Sequence, residues 1–272
     1  LAAMAQGNSV VHLYPAQLGS LALSMPSLPE QKKIAAFLGV VDARIAALRD
    51  RVAGLERYKR GLMQALFSQT LRFTKPDGTP FPDWEERKLS FYLTEPKVRN
   101  RELAFSKDDV LSVSGEAGCV NQIEHMGRSY AGVSVKDYHI VRTGDVVYTK
   151  SPLKLNPYGI IKANFGRDGI VSTLYAVYRP TDEADVSFVH YYFSLDDNLN
   201  RYLRPIVRKG AKNDMKVNNT DVLGDPVFFP SRAEQAKIAE ALQAMDAKIT
   251  AVTGQLGRLQ DFKKGLLQQM FV

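Results

Sequence analysis

A single cysteine, Cys119, is all the thiol chemistry this chain contains, so no internal disulfide can form and no cysteine-based zinc site is available. That scarcity fits a reducing compartment, and Cys119 reads as a buried or incidental thiol. No apolar run approaches the roughly 18 residues that would cross a bilayer. The first thirty residues lack the basic start and apolar middle of a signal peptide, so the expected location is cytoplasmic, with no membrane partner. Four histidines, His12, His125, His139 and His190, are scattered without metal-ligand spacing, and no glycine-rich loop follows a strand as a cofactor cradle would. The expectation is therefore no metal, no cofactor and no catalytic residue.

What the chain has instead is a repeat. "PSLPEQKKIAAFLGVVDARI" at 26–45 returns as "PSRAEQAKIAEALQAMDAKI" at 230–249, and at this offset of 204 residues the stretch 26–68 matches 230–272 without a gap, with 18 of 43 positions identical. Each copy opens with a capping-box pattern, Ser27 with Glu30 and Ser231 with Glu234, which predicts a helix start at the same place twice. The apolar positions then step by four and three. In the first copy they are Ile34, Leu38, Val41, Ile45, Leu48, Val52 and Leu55, then Lys59, Leu62 and Leu66. In the second they are Ile238, Leu242, Met245, Ile249, Val252, Leu256 and Leu259, then Lys263, Leu266 and Met270. A 4-3 alternation is the seam of a coiled coil, and each copy is the other's natural partner. A first helix of about 57 Å joined to the second through a compact domain predicts an antiparallel pair, since a parallel one would make the connection span the whole helix.

Between the helices, 71–89 is turn-rich around Asp77-Gly78 and reads as a linker into a first strand. Short β-branched and aromatic runs follow, at Val110–Val113, Tyr138–Val141, Asp145–Tyr148, Ile160–Lys162, Ile170–Val171 and Leu174–Tyr178. One helix is expected from about Val186 to Tyr202. The fold class is α+β: a globular mixed domain joined to a long antiparallel two-helix coiled coil. The expected divisions are 1–25, 26–69, 70–229 and 230–272. Leu13, Leu18, Leu23 and Met25 align at the same offset with Val217, Val222, Val227 and Phe229, so 1–25 is expected to be the closing stretch of another globular domain in a longer protein.

The net charge of +7 suits a polyanionic partner, and its placement says more than its size. Residues 201–216 carry six basic residues against one acid. In that segment Arg208, Lys209, Lys212 and Lys216 are candidates for phosphate contacts, and Asn213 for an adenine edge. A second candidate loop, 148–159, offers Lys150, Ser151, Lys154 and Asn156, and a third, weaker one is "KVRNR" at 97–101. Pro76-Asp77 with Glu86-Arg87-Lys88 imitates the carboxylate pattern of metal-dependent nucleases, but on sequence these acids flank a turn-rich linker rather than lying on paired strands.

The helix opening P-S-x-x-E-Q-x-K-I-A, present at 26–35 and 230–239, and the linker pattern R-F...D-G...F-P-D-W-E over 72–85 resemble the specificity subunit of type I restriction-modification systems. The resemblance implies that 70–229 is a target recognition domain, that the helices are the two conserved spacers, and that 1–25 is a remnant of a first recognition domain. It implies a non-catalytic subunit that reads one half of a bipartite double-stranded DNA target. It also implies partners: methyltransferase subunits with DNA adenine specificity, ATP-dependent restriction and translocase subunits, and a homodimer if the first recognition domain is absent. A coiled-coil scaffold without DNA binding is the alternative reading of the same helices.

Overall fold

A computed structural model of the chain describes residues 19, 25–209 and 215–270. The expected remnant at 1–25 falls almost wholly outside the described residues. The chain divides into two compact units, residues 53–251 and a unit made of residues up to 52 with those from 252 onward.

In chain order the elements begin with α1 (Leu28–Phe67), β1 (Glu85–Lys88), α2 (Leu89–Tyr92), β2 (Leu93–Thr94), β3 (Leu111–Ser114), β4 (Gly118–Asn121) and α3 (Gln122–Met126). Five strands follow: β5 (His139–Val141), β6 (Val146–Thr149), β7 (Ile160–Ala163), β8 (Gly169–Val171) and β9 (Tyr175–Pro180). The chain closes with α4 (Val186–Tyr192), α5 (Asp196–Leu203), β10 (Arg208–Lys209), β11 (Met215–Lys216), α6 (Asn219–Gly224), β12 (Pro226–Phe229) and α7 (Arg232–Met270).

Within residues 53–251 the central sheet has the order β2-β9-β6-β7, with antiparallel neighbours throughout. All four residues of β6 are buried, which is why its sequence is a continuous apolar run rather than an alternating one. The six β-branched and aromatic runs all become strands. Gly159 has φ +92°, and a Cβ there would stand 2.0 Å from the Thr149 carbonyl oxygen, so the turn between β6 and β7 requires glycine. Around the sheet, Tyr148, Tyr178, Phe188, Phe193 and Phe229 are fully buried, and Met63, Leu66, Ile238, Ala239 and Leu242 from the two long helices join the same core. Trp84 packs there edge-on to Phe188, with ring centroids 6.1 Å apart.

The two long helices run antiparallel. In the larger unit Lys59 of α1 meets Asp246 of α7, and Arg72, just past α1, meets Glu234 near the start of α7, so residue numbers rise on one helix as they fall on the other. In the smaller unit Lys263 meets Asp42, and Val41, Ile45, Leu48 and Val252 are buried. Every seam position from Ile34 to Leu66 and from Ile238 to Met270 is buried or half-buried.

Three local expectations are corrected. The helix expected over Val186–Tyr202 is two helices, broken at Phe193–Leu195, where Ser194 Oγ donates to the His190 carbonyl at 2.7 Å and receives Lys162 Nζ at 2.9 Å. These side-chain bonds offer the backbone an alternative to continuing the helix. The capping box does not form at Ser231, whose hydroxyl is buried without a partner, because Glu234 is committed to Arg72. The neighbouring glutamine reaches back in both copies, Gln31 Nε2 to the Pro26 carbonyl at 2.8 Å and Gln235 Nε2 to the Pro230 carbonyl at 3.0 Å. Finally, Glu86 to Lys88 do lie on a paired strand, β1 against β12, a pairing that joins the two ends of the globular domain. Asp77 stays in its own turn, accepting from the Thr79 amide at 2.9 Å and the Thr79 hydroxyl at 2.6 Å.

Candidate nucleic-acid interface

The three candidate segments meet around Glu95. Asn219 Nδ2 donates to Glu95 Oε1 at 2.6 Å, tying the start of α6 to the loop after β2. Lys150 Nζ donates to the Val217 carbonyl at 3.2 Å, tying the end of β6 to the residue after β11. Arg99 Nη1 lies 2.8 Å from His139 Nε2 and donates to the Asp137 carbonyl at 2.9 Å. Glu95 acts electrostatically on both Lys150 and His139, so the loops at 97–101 and 148–159 and the hairpin β10–β11 share one end of the domain.

Burial and neighbouring charges act on the polar groups here. Burial and the Arg99 guanidinium push His139 down to about 4, so the imidazole is neutral near pH 7. Its Nδ1 is buried without a partner, as is Asn219 Oδ1. Burial also pulls Lys150 below its ordinary value, against the attraction of Glu95.

The predicted contact residues divide into two groups. Ser151 and Lys154 are exposed on the loop, and Lys150 is half-buried at its base. Asn156 is buried: its amide donates to Asp196 Oδ1 at 2.9 Å, while its carbonyl accepts from the amides of Leu153 and Gly159. Its side chain anchors the loop to α5 instead of facing solvent. Arg208, Lys209 and Lys216 lie on the β10–β11 hairpin, Arg208 opposite Lys216 and Lys209 opposite Met215. Lys212 and Asn213 lie outside the described residues. Sequence reasoning missed Glu95, His139 and Asn219, because the contacts that unite them span 40 to 124 positions and leave no local pattern.

Among the described residues no group of three or more His, Cys, Asp or Glu is placed to hold a metal ion, and burial pushes the Cys119 thiol up to about 12, which leaves it un-ionised. No described helix is long and apolar enough to cross a membrane.

No family model matches the chain. A protein named as a type I restriction enzyme MjaX specificity subunit, from Methanocaldococcus jannaschii, is 23% identical over 270 residues, covering 92% of this chain and 58% of its own length. The crystal structure of the HsdS subunit from Thermoanaerobacter tengcongensis superposes with a TM-score of 0.52 at 17% identity, over 91% of this chain and 59% of that one. The type I restriction-modification S subunit from M. genitalium gives a TM-score of 0.51 at 14% identity, over 99% of this chain and 68% of that one. The chain thus spans a little over half the length of the first two relatives. By sequence it is related to a type I restriction enzyme specificity subunit, and by fold it is built as such S subunits are.

Proposed function

We propose that this chain is a DNA sequence-recognition subunit of a type I restriction-modification complex, cytoplasmic and without catalysis of its own. Residues 70–229 form its target recognition domain, reading one half of a bipartite double-stranded target. The helices at 26–69 and 230–272 are spacers that hold methyltransferase subunits, with restriction and translocase subunits joining the assembly. The observation that carries this reading is the convergence of three loop segments, with Lys150, Lys154 and the Arg208–Lys216 hairpin, at one end of the domain. Fixed polar contacts hold those loops in register, as base reading demands, while flanking cations supply affinity for phosphate.

A second recognition domain has a seat on the smaller unit. There an open groove of about 790 Å³ is lined by Asp42, Ile45, Lys263 and Leu267 among others. The equivalent residues in the larger unit, Asp246, Ile249, Lys59 and Met63, are partly covered by the globular domain. Tyr191 donates to Asp246 at 2.6 Å, its ring lies 4.9 Å from Lys59 Nζ, and Met63 is in the core. A domain of the same kind therefore fits the open groove. A homodimer is one way to bring a second recognition domain into the assembly.

The test is DNA binding by the assembled complex as a function of salt. Replacing Lys209, Lys212 and Lys216 with alanine should reduce the slope of log affinity against log salt by up to about 2.7, as three fewer counterions are released. An unchanged slope sinks the hairpin assignment. Absence of any salt-dependent DNA affinity with partner subunits present would favour a protein-binding scaffold instead.

A further inference from the structure

Residue 218 is clamped from both sides. The Val217 carbonyl accepts from Lys150 Nζ at 3.2 Å, Asn219 Nδ2 donates to Glu95 Oε1 at 2.6 Å, and the Asn219 carbonyl accepts from the hydroxyl of the buried Tyr178 at 3.1 Å. These tethers come from the end of β6, from the loop after β2 and from the central strand β9. Further along α6, Val222 and Leu223 are buried, which fixes the other end of the segment. Between these fixed points Asn218 is exposed.

Asn218 stands at the N-cap of α6, where an asparagine ordinarily turns its Oδ1 onto the amides of the first turn. Here the side chain makes no such cap bond. Its main-chain carbonyl takes the Asp221 and Val222 amides, and Nδ2 donates to Asp221 Oδ2 at 3.0 Å. A carboxylate oxygen only accepts, so Asp221 fixes which way round the amide sits: turned over, it would set Oδ1 against Oδ2. One N–H and the Oδ1 acceptor are then left without a partner among the described residues. The result is a rigidly mounted, exposed amide with one donor and one acceptor on offer in a fixed order.

Resting on the function proposed above, we infer that Asn218 reads one adenine through the major groove and that Asp221 is the positioning residue that sets its amide. Adenine presents there an acceptor, N7, beside a donor, the N6 amino group. The free N–H of Asn218 donates to N7 while Oδ1 accepts from N6. Guanine offers two acceptors on that edge, so its O6 would face Oδ1, and cytosine and thymine have no N7. The same fixed amide therefore discriminates against the other three bases. The β10–β11 hairpin that leads into it is a two-stranded ribbon, an element the major groove admits, and it carries Arg208, Lys209 and Lys216.

Selection of bound sites from a randomised double-stranded DNA library tests this, with the chain assembled with its cognate methyltransferase subunits. Asn218→Ala should lose a preference for adenine at one position, worth roughly five- to a hundredfold in the unsubstituted protein, and keep the rest of the consensus. Asp221→Asn, which removes the orienting carboxylate, should relax the same position. Replacing that adenine with 7-deazaadenine, which lacks the N7 acceptor, should weaken binding by the unsubstituted protein and leave binding by Asn218→Ala unchanged. Because Oδ1 caps nothing, Asn218→Ala should also leave the melting temperature nearly unchanged, whereas a merely structural asparagine would lower it. An intact consensus in Asn218→Ala, equal sensitivity of both proteins to 7-deazaadenine, or a lowered melting temperature with a consensus blurred at every position would overturn the inference while leaving the proposed function standing. Failure of the unsubstituted complex to select any sequence would sink both.

Discussion

Lys59 Nζ lies 2.5 Å from Asp246 Oδ1, and Lys263 Nζ lies 2.5 Å from Asp42 Oδ1. Under the repeat these are one interaction written twice, each helix giving its lysine to the other's aspartate. The surroundings differ. Asp246 also accepts from the Tyr191 hydroxyl, whereas Lys263–Asp42 borders open solvent.

The two aspartates should therefore respond unequally to the same substitution. Asp246→Ala leaves Lys59 and the Tyr191 hydroxyl without their acceptor and should cost about 1–3 kcal/mol. Asp42→Ala should cost under about 1 kcal/mol, as for an exposed pair. Urea unfolding of the two variants checks this, and equal losses would show that the globular domain adds nothing to the helix contact.

Arg72 should be among the most sensitive positions in the chain. Its Nε and Nη2 donate to the two oxygens of Glu234 at 3.1 and 2.8 Å, and Nη2 also donates to the Pro82 carbonyl at 2.6 Å. Glu234 is fully buried, so Arg72→Ala strands a carboxylate away from water and should cost about 3 kcal/mol or more. Arg72→Lys should rescue little, because an ammonium cannot make the two-pronged contact. The measurement is the denaturation midpoint, with a shift of a few tenths of a kcal/mol as the outcome against this role.

Acid should destabilise the fold through two histidines. Burial and the nearby Lys162 ammonium push His190 down to about 3, and its Nδ1 accepts the Ala163 amide at 3.2 Å, a bond that a protonated ring cannot accept. His139 is pushed down to about 4. Both folded values lie below the ordinary 6.5, so on acidification the unfolded chain binds protons first. Their stabilisation is fully present above pH 6.5 and is lost as pH falls towards 4 and 3, by up to about 1.4 kcal/mol per pH unit for each histidine. Melting temperatures between pH 7 and 5 should fall, and His190→Gln should flatten that fall even though it lowers the starting value.

The sequence made the helices and most strands legible because both rest on local periodicity: the 4-3 seam from Ile34 to Leu66 needs only neighbours three and four apart, and β6 only a run of buried residues. Pairings over long separations were invisible. Glu85–Lys88 reads as four charged residues and becomes a strand because Pro226–Phe229 lies beside it. Glu234 sits where a capping box wants it and is claimed instead by an arginine 162 positions away. At the candidate interface the cations were legible as composition. The Glu95 centre was not, since its partners arrive from three separate loops. Asn156 has the right chemistry for reading a base, and only its burial against Asp196 shows that it shapes the loop instead.

Trp84 is the chain's sole tryptophan, and it sits 5% exposed among Phe188, Phe228 and the core to which both long helices contribute. Its fluorescence accordingly comes from one known place, shielded from water while that core is intact and shifting to longer wavelength once water enters. The protein thus carries its own optical gauge, able to follow detachment of the helix ends from the sheet without any attached dye.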